Sequence, residues 1–270
     1  MTPTAAEPFL KWAGGKRWLV RRHLNLFPTS YNRYVEPFVG SGAVFFQLHP
    51  ERAILADTNS ELIGTYRAVR AHPRDVARML KRYQQRHTAK FYYQMRGTTP
   101  LTAVERAARF IYLNRVCWNG LYRVNLKGQF NVPIGTKTEV SFPDGFLERT
   151  AKLLRRARLV HSDFERIIDG ATRGDFVYVD PPYTVTHNNN GFLKYNEVLF
   201  TWADQIRLRD AVRRAMKRGA KVMVTNAAHK SVIDLYAGLA QVTSVRRNSV
   251  IAAKSTFRGS LDEVIFTANF

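Results

Sequence analysis

The stretch Phe176-Val177-Tyr178-Val179-Asp180-Pro181-Pro182-Tyr183 decides the fold. Its first four residues form a short apolar run, which predicts a buried β-strand. The two prolines end that strand, because proline donates no backbone hydrogen bond and restricts its own φ. A carboxylate, two carbonyls and an aromatic ring therefore lie at the carboxyl end of a strand, the edge where α/β sheets bind ligands. This group suits a planar base with an exocyclic amine, since the oxygens accept N–H bonds and the ring stacks on the base.

Strand and helix signals alternate on both sides of this stretch. Helices are predicted at Ala43–Leu48 and Trp202–Arg218. Further strands are predicted at Tyr34–Glu36, Ala53–Ala56, Arg158–Val160, Lys221–Val224 and Glu263–Phe266. The alternation is typical of α/β proteins and predicts a doubly wound, Rossmann-like sheet.

The middle of the chain predicts helices instead of strands. Helical patterns cover Asn59–Ala71, Pro73–Arg86 and Leu101–Val116, and Tyr122–Pro133 predicts a hairpin that turns at Lys127-Gly128. We therefore predict one discontinuous α/β domain, residues 1–57 and 159–270, interrupted by a mainly helical insertion at 58–158 that contains the hairpin.

The composition favours a polyanionic partner. The chain has 42 Lys and Arg against 21 Asp and Glu, a formal net charge of +21, so nucleic acid is the leading candidate and an anionic membrane or a basic proteome the alternative. No apolar stretch reaches the ~18 residues that span a bilayer. Met1 to Leu10 lacks a secretion-signal pattern, so we expect a cytoplasmic protein. A single cysteine excludes an internal disulfide, and seven histidines without metal-ligand spacing predict no metal.

A second glycine-containing segment predicts a cofactor site. Phe38-Val39-Gly40-Ser41-Gly42 lies between a strand and a helix, where glycines permit close approach of a ligand to the backbone. Asp57 ends the next strand, a position from which a carboxylate binds ribose hydroxyls. The alternative for Asp57 is an N-cap of the helix near Asn59. The loop and Asp57 together favour a nucleoside cofactor without a pyrophosphate, and S-adenosylmethionine fits.

Two shorter segments add to this prediction. The run from Phe9 to Lys16 places Lys11, Trp12 and two glycines together, and its lysines suit a cofactor carboxylate or a DNA phosphate; a flexible basic terminus is the alternative. Asp163-Phe164 follows a predicted strand and suits an adenine ring, unless Asp163 is only a helix cap.

With these blocks in order, the chain resembles the Dam family of DNA adenine N6-methyltransferases, the D12 class. The resemblance runs from near Phe9 to the final strand. It rests on Lys11–Lys16, Phe38–Gly42, Leu113–Arg115 through Gly135, and Asp180–Tyr183, with Asn119–Arg123 and Phe130–Pro133 as its most particular parts. It implies a Rossmann-like methyltransferase sheet, S-adenosylmethionine as cofactor, and a DNA target-recognition domain at 58–158.

The resemblance also implies roles for single residues. Trp12, Lys16, Asp57 and Asp180 contact the cofactor, and Phe38, Gly40, Ser41 and Gly42 line its methionine part. Asp163 and Phe164, placed at the adenine by their position after a strand, match a smaller block of the family. Asp180, Pro181, Pro182 and Tyr183 are the catalytic set. The expected contacts to double-stranded DNA are Lys11, Trp118, Asn119, Leu121, Arg123, Asn131 and Pro133.

The expected reaction follows from the chemistry of adenine. Asp180 has an ordinary pKa near ~4, too low to deprotonate the neutral amine. It accepts an N6 hydrogen bond instead, and the Pro181 carbonyl accepts the second. Base flipping precedes this, with Tyr183 stacking on the expelled base and Trp118 filling the gap, unless Trp118 is a core residue. Arg123 reads guanine, and Leu121 and Pro133 touch a thymine methyl or neighbouring bases.

Several alternatives stay open at this level. The resemblance favours GATC as the site, and GATATC, which close relatives read, is the rival. Trp118 and the segment His187–Tyr195 depart from the family pattern, so the exact recognition sequence stays open. Cytosine N4 methylation and DNA binding without catalysis are rival activities. The polar loop Thr184–Asn196 either orders on binding or is an ordinary surface loop. A monomer without an obligate protein partner is expected, and a restriction system, a phage and a housekeeping role are not distinguished.

Overall fold

The computed structural model describes residues 7–125, 127–184, 200–248 and 260–270. Beyond Thr184, the predicted polar loop and the whole of His187–Tyr195 lie outside these ranges. The described strands are β1 Tyr34–Glu36, β2 Ala53–Asp57, β3 Ala157–His161, β4 Phe176–Val179, β5 Lys221–Ala227, β6 Gln241–Asn248 and β7 Ser260–Ala268. The described α-helices are α1 Arg17–Arg22, α2 Ala43–Leu48, α3 Ser60–Ala71, α4 Pro73–Arg86, α5 Ala89–Gly97, α6 Ala103–Val116, α7 Phe146–Leu154, α8 Phe164–Asp169, α9 Trp202–Lys217 and α10 Lys230–Tyr236.

This alternation of strands and helices confirms the predicted α/β class. The chain divides into two compact units, of which the first comprises Met1–Leu24 and Val39–His161 and the second Asn25–Phe38 and Ser162–Phe270. Residues 58–158 thus share a unit with the glycine loop, and a separate target-recognition domain at 58–158 stays a prediction. None of the helices in the described ranges has the length and hydropathy of a membrane span.

The first unit places helices around a two-stranded parallel ladder. β2 and β3 pair from Ala53 opposite Ala157 to Asp57 opposite His161. The central helix α3 packs against α6 and α7 and contacts both strands. Its buried face includes Leu62, Ile63 and Tyr66. Tyr66 lies three positions after Ile63 and four after Leu62, so the three side chains share one face of the helix. The helix begins where the Asn59 side chain accepts a bond from the Leu62 N–H.

The predicted hairpin is present in the first unit as a short antiparallel turn. Val124 and Phe130 form an antiparallel bridge, and the Asn131 N–H donates to the Arg123 carbonyl at 3.1 Å. The Gly128 N–H donates to the Asn125 carbonyl at 2.9 Å, which closes the predicted turn. A second bridge, Cys117 with Ile134, ties the hairpin to the end of α6.

The second unit contains a five-stranded sheet in the order β1-β4-β5-β7-β6. β1, β4 and β5 run parallel, with Tyr34 opposite Phe176 and Val179 opposite Val224. β7 runs antiparallel to both β5 and β6. All four residues of β4 are buried, as expected for a central parallel strand with both faces covered. The sheet thus brings the carboxyl ends of β4 and β5 to one edge.

Ion pairs join two helices of the second unit. Arg214 on α9 bonds to Glu165 and Asp169 of α8 at 2.8 Å each. Arg207 on the same helix bonds to Asp163 at 3.0 Å and to Glu165 at 3.1 Å. Because a network holds several charges in fixed geometry, it stabilises more than isolated surface pairs do. The network fixes α8, and with it Phe164, against α9.

Candidate active site

In the first unit, the glycine loop and the end of β2 are joined by hydrogen bonds. The Val39 N–H donates to the Ala56 carbonyl at 2.9 Å, and the Gly40 N–H donates to Asp57 Oδ2 at 3.2 Å. The Asn59 N–H donates to the other oxygen, Oδ1, at 3.0 Å. The cap of α3 is Asn59, so the alternative reading of Asp57 as that cap is wrong. The Asp57 carboxylate is instead oriented by backbone donors from the loop.

Trp12 packs on the loop at a position where only glycine fits. Gly40 has φ +45°, and a Cβ there would lie 2.7 Å from Cδ1 of Trp12. The Tyr66 hydroxyl donates to the Gly40 carbonyl at 3.0 Å. The indole of Trp12 stacks on Tyr122, with ring centroids 5.7 Å apart and planes 18° from parallel. The structure therefore brings together Trp12, Gly40 and Asp57, which the sequence placed in three separate blocks.

Burial changes the acidity of Asp57. Desolvation is the largest influence and raises its pKa from 3.8 to about 6, and the N–H bonds from Asn59 and Gly40 oppose the rise. A half-buried carboxylate of this kind gains from a ligand hydroxyl that donates to it, since the bond compensates for lost hydration. This arrangement suits the hydroxyls of a ribose.

Lys16 and Lys11 have structural contacts within the first unit. Lys16 is 3% exposed, and its Nζ donates to the Gly14 carbonyl at 2.8 Å. The backbone N–H of Lys11 donates to Asn114 Oδ1 at 2.8 Å, and Asn114 returns a bond of 2.8 Å to the Lys11 carbonyl. Burial, with the nearby charge of Arg115, lowers the pKa of Lys11. Lys11 is therefore bonded to Asn114 on α6, and the alternative reading of Phe9–Lys16 as a flexible terminus is wrong.

In the second unit, the Asp180 carboxylate is oriented from the neighbouring strand. Asp180 follows β4 directly, and the Thr225 hydroxyl on β5 donates to its Oδ1 at 2.8 Å. Thr225 is 1% exposed. A carboxylate oxygen accepts more than one hydrogen bond, so this bond orients Asp180 and leaves it able to accept from a bound amine.

Tyr183 and Pro182 are held in the same way. The Tyr183 hydroxyl donates to Glu263 Oε2 on β7 at 2.9 Å. Burial, with the charges of Asp180 and Glu263, raises the pKa of Tyr183 well above its usual value, so the phenol stays protonated. The Gln205 amide donates to the Pro182 carbonyl at 3.4 Å and accepts from the Asn226 amide at 3.2 Å.

Phe38 and Phe164 meet in an aromatic cluster of the second unit. Their rings stack with centroids 5.4 Å apart and planes 25° from parallel, and both contact Phe200. The Arg207 guanidinium lies 4.8 Å from the Phe164 ring centroid. Asp163 caps α8 by accepting from the Glu165 N–H at 2.9 Å. Its side chain thus has the capping function that the sequence offered as the alternative.

The expected DNA-contacting residues cluster around the hairpin of the first unit. Arg123 Nε donates to Asn131 Oδ1 at 2.8 Å. Asn119 has φ +54°, a left-handed conformation that aids the tight turn after Trp118. Trp118 is 45% exposed, so the alternative that it is a core residue is wrong. The side chains of Asn119, Arg123 and Pro133 are also exposed, and those of Leu121 and Asn131 are half-buried.

Sequence reasoning missed the partners of these residues. Thr225, Glu263, Gln205 and Tyr66 each bond to a predicted site residue or its backbone. One signal was readable, because Thr225-Asn226 follows the apolar run of β5 at the ligand-binding edge. Across the residues that the structure describes, no group of three or more acidic, histidine or cysteine side chains could hold a metal ion.

Comparisons with known proteins identify relatives of this chain. A family model described as D12 class N6 adenine-specific DNA methyltransferase matches residues 12–251. The chain is 37% identical to a type II methyltransferase, M1.LlaDCHI of Lactococcus lactis subsp. cremoris, over 97% of this chain and 95% of that protein. It is 35% identical to a DNA adenine methylase of Vibrio cholerae, over 95% of this chain and 94% of the other. It is 34% identical to the type II methyltransferase M.MjaIII of Methanocaldococcus jannaschii, over 89% and 90% of the two chains.

Proposed function

The chain belongs to the D12 class of N6 adenine-specific DNA methyltransferases, and we propose that it methylates adenine within GATC, with S-adenosylmethionine as donor. An adenine-specific DNA methyltransferase activity follows from the family, and the donor, the site and the residue roles are the proposal. The observation that carries it is the oriented acceptor at the end of β4, the Asp180 carboxylate fixed at 2.8 Å by Thr225.

The residues of the first unit fit a nucleoside cofactor. Gly40 has no room for a Cβ against Trp12, so glycine lets the indole pack directly on the loop backbone beside Asp57. We assign Trp12 to cofactor packing, the loop Gly40-Ser41-Gly42 to the amino-acid part, and Asp57 to the ribose hydroxyls. Lys16, Asp163 and Phe164 are assigned to the same cofactor by family resemblance. S-adenosylmethionine, when bound, supplies an electrophilic methyl group whose transfer leaves a neutral thioether.

The residues of the second unit fit the amino group of adenine. Asp180 accepts one N6–H bond and the Pro181 carbonyl accepts the second, which draws the nitrogen towards a tetrahedral geometry and exposes its lone pair. Tyr183 stacks on the base face, and its hydroxyl is held by Glu263 at 2.9 Å. Orientation supplies much of the barrier reduction, since near-attack geometry has reacting atoms about 3–3.5 Å apart. The proton becomes acidic as the new N–C bond forms, and Asp180 is placed to take it.

The hairpin supplies the proposed recognition of the duplex. The formal charge of +21 supports non-specific attraction to phosphates. We assign Arg123 to guanine, Trp118 to the gap that the flipped adenine leaves, and Leu121 and Pro133 to neighbouring bases. Lys11, Asn119 and Asn131 complete this set. GATC is supported by the family resemblance, and GATATC is the rival.

The test is a nucleoside digest. The protein is incubated with methyl-labelled cofactor and duplexes that contain GATC, GATATC or neither, and the product is hydrolysed to nucleosides. We expect label in N6-methyladenine from the GATC duplex only. Label in N4-methylcytosine would refute the proposal, and so would the absence of labelled N6-methyladenine from a duplex that the protein binds. Label from the GATATC duplex alone would replace GATC as the site.

For assembly and location, we propose that a monomer acts on cytoplasmic DNA without an obligate protein partner, and the type II names of two relatives support a place in restriction and modification. Light scattering of the protein with and without its duplex tests the monomer. A dimer in both samples would contradict it.

A further inference from the structure

Three buried polar side chains of the second unit donate to or accept from the Asp180–Tyr183 tetrapeptide. Thr225, Gln205 and Glu263 lie on β5, α9 and β7, and none is more than 3% exposed. Each bonds to a different residue: Thr225 to Asp180, Gln205 to Pro182 and Glu263 to Tyr183. Buried polar groups destabilise a fold unless they form hydrogen bonds. All three of these groups bond to one tetrapeptide, which indicates that the tetrapeptide's orientation matters for function.

We propose that Thr225 and Glu263 are positioning residues for methyl transfer, which orient the Asp180 carboxylate and the Tyr183 ring towards the target amine. This inference rests on the proposed function. Neither residue is proposed to touch the substrate. Thr225 acts through Asp180, and Glu263 acts through Tyr183.

The effect of Thr225 follows from the torsions of aspartate. The last torsion of an Asp side chain is broad, so packing alone leaves the carboxylate plane poorly defined. A threonine hydroxyl has one proton to donate, and at 2.8 Å it is directed at Oδ1. That bond selects one orientation of the carboxylate. Sites of this kind tolerate about 0.5 Å and 10–20° of error, so losing the bond slows the chemical step.

Glu263 has the corresponding effect on Tyr183. β7 pairs with β5, and Glu263 lies opposite Ala227, two residues beyond Thr225. Both side chains therefore reach the tetrapeptide from adjacent strands at one sheet edge. A protonated phenol that donates to a buried carboxylate forms a strong hydrogen bond, and this bond fixes the ring that is to stack on the base. The adenine can stack favourably on Tyr183 only if the ring already has the right orientation when the base arrives.

The first experiment compares Thr225→Val and Thr225→Ser under single-turnover conditions. Valine keeps the volume of threonine and removes the donor. We expect the methyl-transfer rate to fall about 10- to 100-fold, while dissociation constants for S-adenosylmethionine and duplex change less than about 3-fold. Serine retains a hydroxyl and should restore most of the rate. Thr150→Val is the matched control, since Thr150 is a fully buried threonine that bonds to the Phe146 carbonyl within α7.

The second experiment tests the Tyr183 arm independently. Tyr183→Phe keeps the stacking ring and removes only the hydroxyl that bonds to Glu263, so it disturbs the packing little. If Thr225→Val does not fold, this variant still tests whether the bonds to the tetrapeptide position it for methyl transfer. We expect methyl transfer to be about 10-fold slower. Base flipping, measured by the fluorescence of 2-aminopurine at the target position, should be unchanged. Wild-type transfer rates in both Thr225→Val and Tyr183→Phe overturn the inference, as does a fall in rate that merely follows lost DNA or cofactor binding. Failure of wild-type protein to form N6-methyladenine would instead refute the proposed function.

Discussion

The backbone N–H of Gly40 donates to Oδ2 of Asp57 across 3.2 Å. Through this bond a loop residue that must be glycine orients a carboxylate that ends the next strand. The two residues are 17 positions apart in sequence, and β2 places them side by side. A change at either residue therefore alters both the loop and the acceptor.

Substitution Gly40→Ala should impair cofactor binding. Its Cβ would lie 2.7 Å from Trp12, at a residue with φ +45°, and a left-handed conformation alone costs a non-glycine residue about 1–2 kcal/mol. We expect calorimetry to give a dissociation constant for S-adenosylmethionine at least about 10-fold larger than that of wild type, a loss of about 1.4 kcal/mol of binding free energy. Gly64→Ala is the control, because Gly64 lies inside α3 with no atom within 4 Å of an added Cβ. It should bind normally and unfold at a slightly higher temperature, and equal binding by both variants would contradict the role of the loop.

In the ligand-free protein, the stability of Asp57→Asn relative to wild type should depend on pH. The folded-state pKa of Asp57, about 6, lies above its ordinary value of 3.8. The folded protein therefore holds more protons between these values, and stability is full below the ordinary pKa and declines as pH rises through 6. Asparagine removes this loss, so the stability of the variant relative to wild type should rise between pH 4 and pH 7, by on the order of 1–2 kcal/mol. Urea unfolding at both pH values checks this, and a pH-independent difference would contradict it.

The same variant should bind the cofactor less well. Ionised Asp57 accepts from ribose hydroxyls, so wild-type affinity should fall as pH drops below about 6, and the affinity of Asp57→Asn should stay nearly constant with pH. Calorimetric titrations at pH 5 and pH 8 measure the difference. A parallel fall in both proteins would assign the pH dependence to another group.

Arg123→Ala should relax discrimination at guanine. Arg123 is held by Asn131 at 2.8 Å, which suits it for a two-pronged contact worth about 1–3 kcal/mol. Replacing the guanine by 7-deazaguanine removes one acceptor, and it should slow wild-type methylation by about 10-fold or more but leave the variant unaffected. Lys127→Ala, an exposed change at the turn, should keep the wild-type sensitivity. An equal penalty in wild type and Arg123→Ala places the guanine contact elsewhere.

Trp118→Ala should impair base flipping without a large loss of stability. Trp118 is 45% exposed, so truncation leaves little cavity, and we expect the free energy of unfolding to change by less than about 1 kcal/mol. Fluorescence of 2-aminopurine at the target position should rise less than with wild type. Leu101→Ala, at an 87% exposed leucine, is the control and should flip normally. A wild-type signal from Trp118→Ala would show that another residue fills the gap.

Much of the fold was predictable because its signals are local. β1, β4, α2 and α4 have the predicted ends, and the hairpin turn contains Lys127 and Gly128 as expected. The misses also have local causes. The helices α5 and α7 have nine residues each, too few for a firm periodic pattern, and β6 is largely exposed at Gln241, Val242 and Ser244, so it lacks the regular burial that marks a strand.

The sequence by itself determined which carboxylates mark the strand ends: Asp57 is the last residue of β2, and Asp180 directly follows β4. Apolar runs and prolines act on their immediate neighbours, so these positions can be read from a few letters. Only the tertiary structure decided what those residues bond to. Thr225 and Glu263 reach the tetrapeptide from 45 and 80 positions away. A hydrogen bond requires two atoms to meet within about 3 Å, and strand register, which no short stretch encodes, sets that distance.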